Sequence, residues 1–147
     1  MIALDTNILI YADTPHDSPG RHSEASALID KLATGEHFVP IQVLSEFLSV
    51  CRKKRVIDLE LAIRRVETYA CVFETPATTL SDLTDAAQLL SRFTLQYFDA
   101  LIISVAARAG ATMLLSEDMH DGLVIDGLTI VNPFAAGNDA IIAAVLS

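Results

Sequence analysis

Short apolar runs alternate with longer amphipathic stretches along the chain. Met1 to Leu4 is a short apolar run and predicts a buried strand. Thr6 to Ala12 predicts a helix or helical turn directly after it. Asp13 to Gly20 holds two prolines and a glycine, so it predicts a loop. Ser23 to Ala33 predicts a helix with Ala27, Leu28 and Leu32 on one face, and Gly35 stops it. His37 to Val39 predicts a second strand. Pro40 suits a first helical turn, with a helix over Ile41 to Lys54. Asp58 is placed to cap a further helix that ends near Tyr69. Cys71 to Phe73 predicts a third strand. Further helices are expected from Ser81 or Asp82 to Phe93, and from Phe98 to Ala109, where Gly110 ends the pattern. Thr112 to Leu115 and Leu128 to Val131 predict two more strands. Asn132-Pro133 closes the ordered pattern, and a short apolar helix is expected from Asp139.

This strand–helix alternation predicts an α/β fold of three layers, α/β/α, with a mainly parallel central sheet. One domain is expected over residues 1–133. Residues 134–147 form a C-terminal tail that either belongs to that domain or extends from it. In such sheets, function gathers beyond the carboxyl ends of the strands.

Composition narrows the class. The chain has 147 residues, of which 52% are hydrophobic, and a mean hydropathy of +0.43, which excludes intrinsic disorder. A net charge of -9 and a pI near 4.7 exclude a broadly basic protein that coats nucleic acid by charge alone. The charge is uneven: residues 1–51 carry -5, residues 52–71 carry +3 and residues 72–147 carry -7. Two cysteines, Cys51 and Cys71, make neither a disulfide framework nor a zinc cluster, and both are expected as small buried hydrophobes. Met1 to Ile10 lacks the basic segment of a secretory leader. The longest apolar stretch, Ala100 to Ala107, is interrupted by Ser104, and no run is long enough to span a bilayer. A cytoplasmic protein with no membrane association is expected.

Most acids here suit helix starts or polar faces: Asp30, Asp58, Glu60, Glu67, Asp82 and Asp85. Four others lie among apolar residues. Asp5 ends the first strand, where it serves as an N-cap or as a site residue. Glu46 stands between Val43 and Val50 at helical spacing, at the edge of the apolar stripe or buried with a partner. Asp99 starts a helix between Tyr97-Phe98 and Ala100-Leu101-Ile102-Ile103. Asp118 follows the Thr112–Leu115 strand. Asp121 is a second loop acid or a turn residue. The topology puts the ends of the first strand and of the Thr112–Leu115 strand on one sheet edge. Carboxylates gathered there repel one another, and hard cations relieve that repulsion. An acid cluster without His or Cys favours Mg²⁺ or Mn²⁺ over zinc. Such a site suits phosphodiester hydrolysis. No Ser/His/Asp arrangement, Walker A motif or GxGxxG is present.

Four segments together carry a family resemblance. Ile2-Ala3-Leu4-Asp5-Thr6-Asn7-Ile8-Leu9, Ser45-Glu46-Phe47, Tyr97-Phe98-Asp99-Ala100-Leu101-Ile102 and Leu114-Leu115-Ser116-Glu117-Asp118-Met119 resemble, in order, the four motifs of PIN-domain nucleases. They span most of residues 1–133. The compact length and the early Asp-Thr-Asn further resemble the VapC toxins of toxin–antitoxin pairs. The resemblance implies a metal-dependent endoribonuclease with Asp5, Glu46, Asp99 and Asp118 as catalytic, Mg²⁺- or Mn²⁺-binding acids. It implies that Thr6, Asn7 and Ser116 support the metal, with Asp121 as an outer acid. It also implies a homodimer and a cognate antitoxin whose tail enters the groove, where an Arg would meet the acids. Glu117 sets a second acid beside Asp118 and leaves open which of the two ligates. The tail residues Ile141, Ile142, Val145 and Leu146 are candidates for a dimer or partner surface.

Arg52-Lys53-Lys54-Arg55 is the candidate RNA-binding segment, and its cations also suit a helix C-terminus. Arg64 and Arg65 extend it along the next helix. Tyr11, Tyr69 and Tyr97 are candidates for base stacking, and His16 and His22 for substrate contact. Two other readings compete. One is an inactive PIN-like module that only binds RNA or a partner. The other is a phosphatase of the haloacid-dehalogenase type, which wants a second Asp where Asn7 stands.

Overall fold

The apolar runs Ile2–Leu4 and Met113–Leu115 become β1 and β2, and every residue of both is buried. This computed structural model describes residues 1–16 and 18–147, so part of the expected Asp13–Gly20 loop, Asp17, lies outside the described residues. The sheet is completed by β3 (Val124–Ile125) and β4 (Leu128–Val131), in the order β1-β2-β4-β3. β1, β2 and β4 run parallel, and β3 is antiparallel to β4. β3 is absent from the strand pattern expected above. Its signature is Asp126-Gly127: both residues have positive φ, 49° and 86°, as a two-residue hairpin loop requires.

Among the described residues, seven helices cover this mainly parallel sheet in a three-layer arrangement: α1 (Thr6–Asp13), α2 (Pro19–Leu32), α3 (Ile41–Lys54), α4 (Leu59–Val72), α5 (Leu80–Arg92), α6 (Tyr97–Ala109) and α7 (Asn138–Leu146). α3 matches its expected bounds. α2 starts before Ser23 because Pro19 occupies its first turn, where a fixed φ favours the helix. Two expected strands do not form. Phe38 makes only single parallel bridges, to Ala3 and to Glu74. Cys71 lies inside α4, whose last turn carries it to the exposed side, so of the two cysteines only Cys51 is buried. The middle of α6 is buried on every side, with Ala100–Ala106 buried without a break between Asp99 in its first turn and Arg108 in its last. In the tail, Ile142 joins the core, which removes it from the candidate surface; Ile141 and Val145 stay exposed. Among the described residues, no single helix is long and apolar enough to cross a membrane.

Asp82 departs from its expected polar face, being fully buried. It sits in a capping box with Thr79 at the start of α5, one residue earlier than Ser81. Arg108 of α6 grips both its oxygens, at 2.8 and 2.9 Å, and donates a further bond to the Ala77 carbonyl. Burial pushes the Asp82 carboxyl up, but the Arg108 guanidinium and the Thr79 donors outweigh it and hold the group below its usual range. The pair locks α5 to α6. Arg108→Ala leaves a buried carboxylate without its cation, so it is expected to cost about 3 kcal/mol in denaturant unfolding. A loss near zero would show that the pair does not hold the two helices together.

Candidate active site

The parallel register sets Leu4 beside Leu115, so Asp5 and Ser116 leave the sheet at the same edge. Asp5 is the N-cap of α1 and also lines the candidate site. Its Oδ1 accepts the Thr6 N–H at 2.7 Å, which caps α1. Its Oδ2 accepts from Ser116 Oγ at 2.7 Å and from Asn7 Nδ2 at 3.1 Å. α3 supplies Glu46, whose Oε2 accepts from Thr6 Oγ1 at 2.9 Å and whose Oε1 accepts from Gln42 Nε2 at 3.2 Å. α6 supplies Asp99 from its first turn. The loop after β2 supplies Asp118, which accepts from Asn7 Nδ2 at 3.3 Å. All four carboxylates line one cleft of about 400 Å³, together with Thr6, Asn7, Ile10, Tyr11, Val50 and Lys54.

The electrostatics of the cleft are those of uncompensated anions. Asp5 is only 5% exposed. Burial lifts its pKa to about 6; the Ser116 hydroxyl and the Thr6 N–H oppose this, and the charges of Asp99 and Glu46 add to it. Asp99 is raised by burial first, then by Glu46 and Asp118. An all-oxygen set of this kind suits a hard divalent cation. Among the described residues, no three carboxylate, imidazole or thiol groups already stand together closely enough to hold one ion. Thr6, Asn7, Gln42 and Ser116 hold three of the acids on separate hydrogen bonds instead, and a bound cation would have to draw them in.

The other candidates divide. Lys54 lines the acidic cleft two helical turns beyond Glu46, with Val50 between them. Arg52 and Arg55 line a different depression, beside Asp58, and Lys53 is exposed. Arg64 pairs with Glu60 and Arg65 with Asp13, so neither extends the basic segment toward the cleft. Asp121 is taken up elsewhere: it accepts from the Asn132 N–H and from the Asn138 amide, which ties its loop to β4 and α7. Tyr11 lines the cleft, whereas Tyr69 is buried with its hydroxyl on Asp13. Tyr97 packs edge-on against Phe98. His22 bonds to the Tyr11 carbonyl, and His16 is exposed. A second cavity, of about 350 Å³, contains Asp13, but Arg65 and Tyr69 already satisfy that carboxylate. Sequence reasoning missed Gln42 and the apolar wall of Ile10 and Val50. Gln42 was within reach, since it precedes Glu46 by one helical turn.

The chain belongs to the PIN-domain family, whose model (PIN domain) matches residues 2–120. The resemblance carried by the four acidic motifs is therefore borne out. Over 141 residues the chain is 29% identical to Ribonuclease VapC7 of Mycobacterium tuberculosis, with 93% of this chain and 94% of that protein covered. Solved structures share the fold. VapC20 of Mycobacterium tuberculosis, described as a sarcin–ricin loop cleaving toxin, aligns with a TM-score of 0.64 at 18% identity, over 78% of this chain and 87% of that one. A toxin–antitoxin complex from Klebsiella pneumoniae aligns at 0.66 and 18% identity, over 91% and 98%. VapBC2 of Rickettsia felis, bound to a promoter DNA fragment, aligns at 0.65 and 20% identity, over 88% and 97%.

The sign of the Asp5 shift has a consequence for stability. Its folded pKa of about 6 lies above the ordinary 3.8. Its contribution therefore favours folding most below pH 3.8 and is lost as pH rises through about 6. At neutral pH the ionised group then costs the cation-free fold about 3 kcal/mol. Ser116→Ala removes the hydroxyl that opposes the rise. It is expected to move the Asp5 midpoint further up and to cost about 1–2 kcal/mol of stability. Carboxyl ¹³C NMR without divalent cations measures the first, and denaturant unfolding the second. A wild-type Asp5 midpoint near 3.8 would refute the burial argument.

Proposed function

We propose that this PIN-domain chain is a metal-dependent endoribonuclease that acts as the toxin of a toxin–antitoxin pair. Asp5, Glu46, Asp99 and Asp118 would hold Mg²⁺ or Mn²⁺. One observation carries the reading: four carboxylates from four separate segments line one cleft at the carboxyl ends of the strands, two of them with raised pKa. The likeness to Ribonuclease VapC7 supports RNA as the substrate. The fold shared with a toxin–antitoxin complex supports a cognate antitoxin as partner. A homodimer and a cytoplasmic setting belong to the same reading.

A cation held by Asp5, Glu46, Asp99 and Asp118 would lower the pKa of an attacking water and offset charge on the phosphodiester. The protein's own groups do the positioning. Ser116 and Asn7 aim Asp5 and Asp118, while Thr6 and Gln42 fix both oxygens of Glu46. Lys54 is the cation of the lining, placed to meet a phosphate of the incoming strand. Asp5 must give up its proton to serve as a ligand, so metal binding, and cleavage at limiting metal, are expected to weaken as pH falls below about 6.

Purified protein is expected to cut RNA with Mg²⁺ or Mn²⁺ and to stop with EDTA. Asp5→Asn and Asp99→Asn are expected to fall to background. Cleavage that survives EDTA overturns the metal mechanism. RNA binding without cleavage in any divalent metal favours an inactive binding module instead. Lys54→Ala is expected to weaken RNA binding and lower the log–log salt slope by about one, without changing Mn²⁺ affinity. Arg52→Ala, in its separate depression, is expected to do less. Equal effects from the two would return the basic segment to a diffuse role.

A further inference from the structure

Glu117 and Asp118 are consecutive acids, but the fold treats them differently. Asp118 lines the acidic cleft, and Glu117 does not. The Glu117 carboxylate turns toward α1 and α2. Tyr11 donates its hydroxyl to Oε1 at 2.7 Å, and Arg21 Nε stands 2.8 Å from Oε2. Arg21 approaches obliquely, so Oε2 is buried with no well-directed hydrogen bond and its charge is met by the ion pair. Phe134, just past β4, closes the cluster. The Arg21 guanidinium lies 4.6 Å over its ring, and Tyr11 meets that ring edge-on at 5.6 Å. The bond to Glu117 leads in pushing the Tyr11 phenol up to about 12, followed by burial and the nearby charges of Glu117 and Asp118, so Tyr11 remains a donor at neutral pH.

Asp118 has far less to hold it. It is exposed, and its described side-chain bond is a 3.3 Å contact from an Asn7 amide that also serves Asp5 and Ser116. Its place depends on the backbone beside it, and Glu117 anchors that backbone. The Glu117 N–H donates to Asn7 Oδ1 at 3.3 Å while its side chain is clamped on the other side. We infer that Glu117 is a positioning residue and not a ligand: gripped by Tyr11 and Arg21, it aims Asp118 into the cleft. The inference rests on the metal-site reading above and settles which acid of the pair serves it. Tyr11 and Arg21 thereby become positioning residues through Glu117, without touching the ion.

Mn²⁺ titration of the full chain, read from the EPR signal of free Mn²⁺ beside a thermal melt, tests this. The set is wild type, Tyr11→Phe, Glu117→Gln, their double variant and Asp118→Asn. Tyr11→Phe removes one hydroxyl and no carboxylate, yet it is expected to weaken Mn²⁺ binding about tenfold, as loss of an outer partner does. Glu117→Gln is expected to match it, and the double variant to lose no more than either, because all three break one clamp. Asp118→Asn is expected to lose at least as much. Wild-type affinity in Tyr11→Phe, with loss in Glu117→Gln, makes Glu117 a ligand and overturns the inference. A lower melting temperature with unchanged Mn²⁺ affinity across the clamp variants leaves only a structural role and overturns it as well. A wild type that binds no Mn²⁺ overturns the nuclease reading first and this inference with it.

Discussion

A carboxylate that is almost wholly buried, with no ion pair among the described residues, is the constraint on which this molecule turns. Asp5 stands at the end of a fully buried strand, facing Glu46 and Asp99. Water would stabilise its charge, but only 5% of the residue is exposed to it. What replaces water is a ring of neutral donors: the Thr6 N–H, the Ser116 hydroxyl and the Asn7 amide. They lower the cost of ionisation without removing it, which is why the carboxyl still titrates near 6. A guanidinium in the same place would satisfy the group and also occupy the cleft.

The same chain shows that alternative worked out. Asp82 is as buried as Asp5, but Arg108 holds both its oxygens and its pKa falls. Asp13 is close to buried and has Arg65 and Tyr69. Glu117 has Arg21 and Tyr11. These acids are tied into the scaffold, each with a cation to answer its charge. Asp5, Glu46 and Asp99 share their cleft with Lys54, and no ion pair among the described residues joins it to them. The difference between structural and candidate catalytic acids in this protein therefore lies in whether the fold supplies a counter-charge, more than in burial.

Much of this was legible in residue order. The strand runs at Ile2–Leu4 and Met113–Leu115, with an acid or serine directly after each, already placed two site segments on one edge, because parallel strands end together. Amphipathic spacing over Ile41–Lys54 marked α3 to its bounds. The failures have physical causes. Cys71-Val72-Phe73 is apolar and short, and periodicity cannot separate such a run from the last turn of a helix; packing of Tyr69 and Phe73 in the core decided for the helix. β3 was hidden because two residues make no alternation to read, although Asp126-Gly127 announced its turn. Asp82 read as a surface acid because its partner, Arg108, lies 26 positions away on another helix. Glu117 stayed unresolved for the same reason: Arg21 and Phe134 come from distant segments.

Net charge can now be weighed against geometry. A total of -9 still excludes binding by a broad basic surface. The fold goes further, because only Lys54 of the four clustered cations faces the cleft. A phosphate that approaches the carboxylates meets repulsion from the four acids of the lining. On the proposed reading, a divalent cation reverses the sign of that encounter, so cation and RNA each strengthen the binding of the other. Such coupling is reciprocal by necessity. It also limits where the RNA phosphate sits, since attraction is confined to the cleft that Lys54 and the acids line. Acidity elsewhere on the surface then works in favour of selectivity: a strand that does not reach the cleft finds little to hold it.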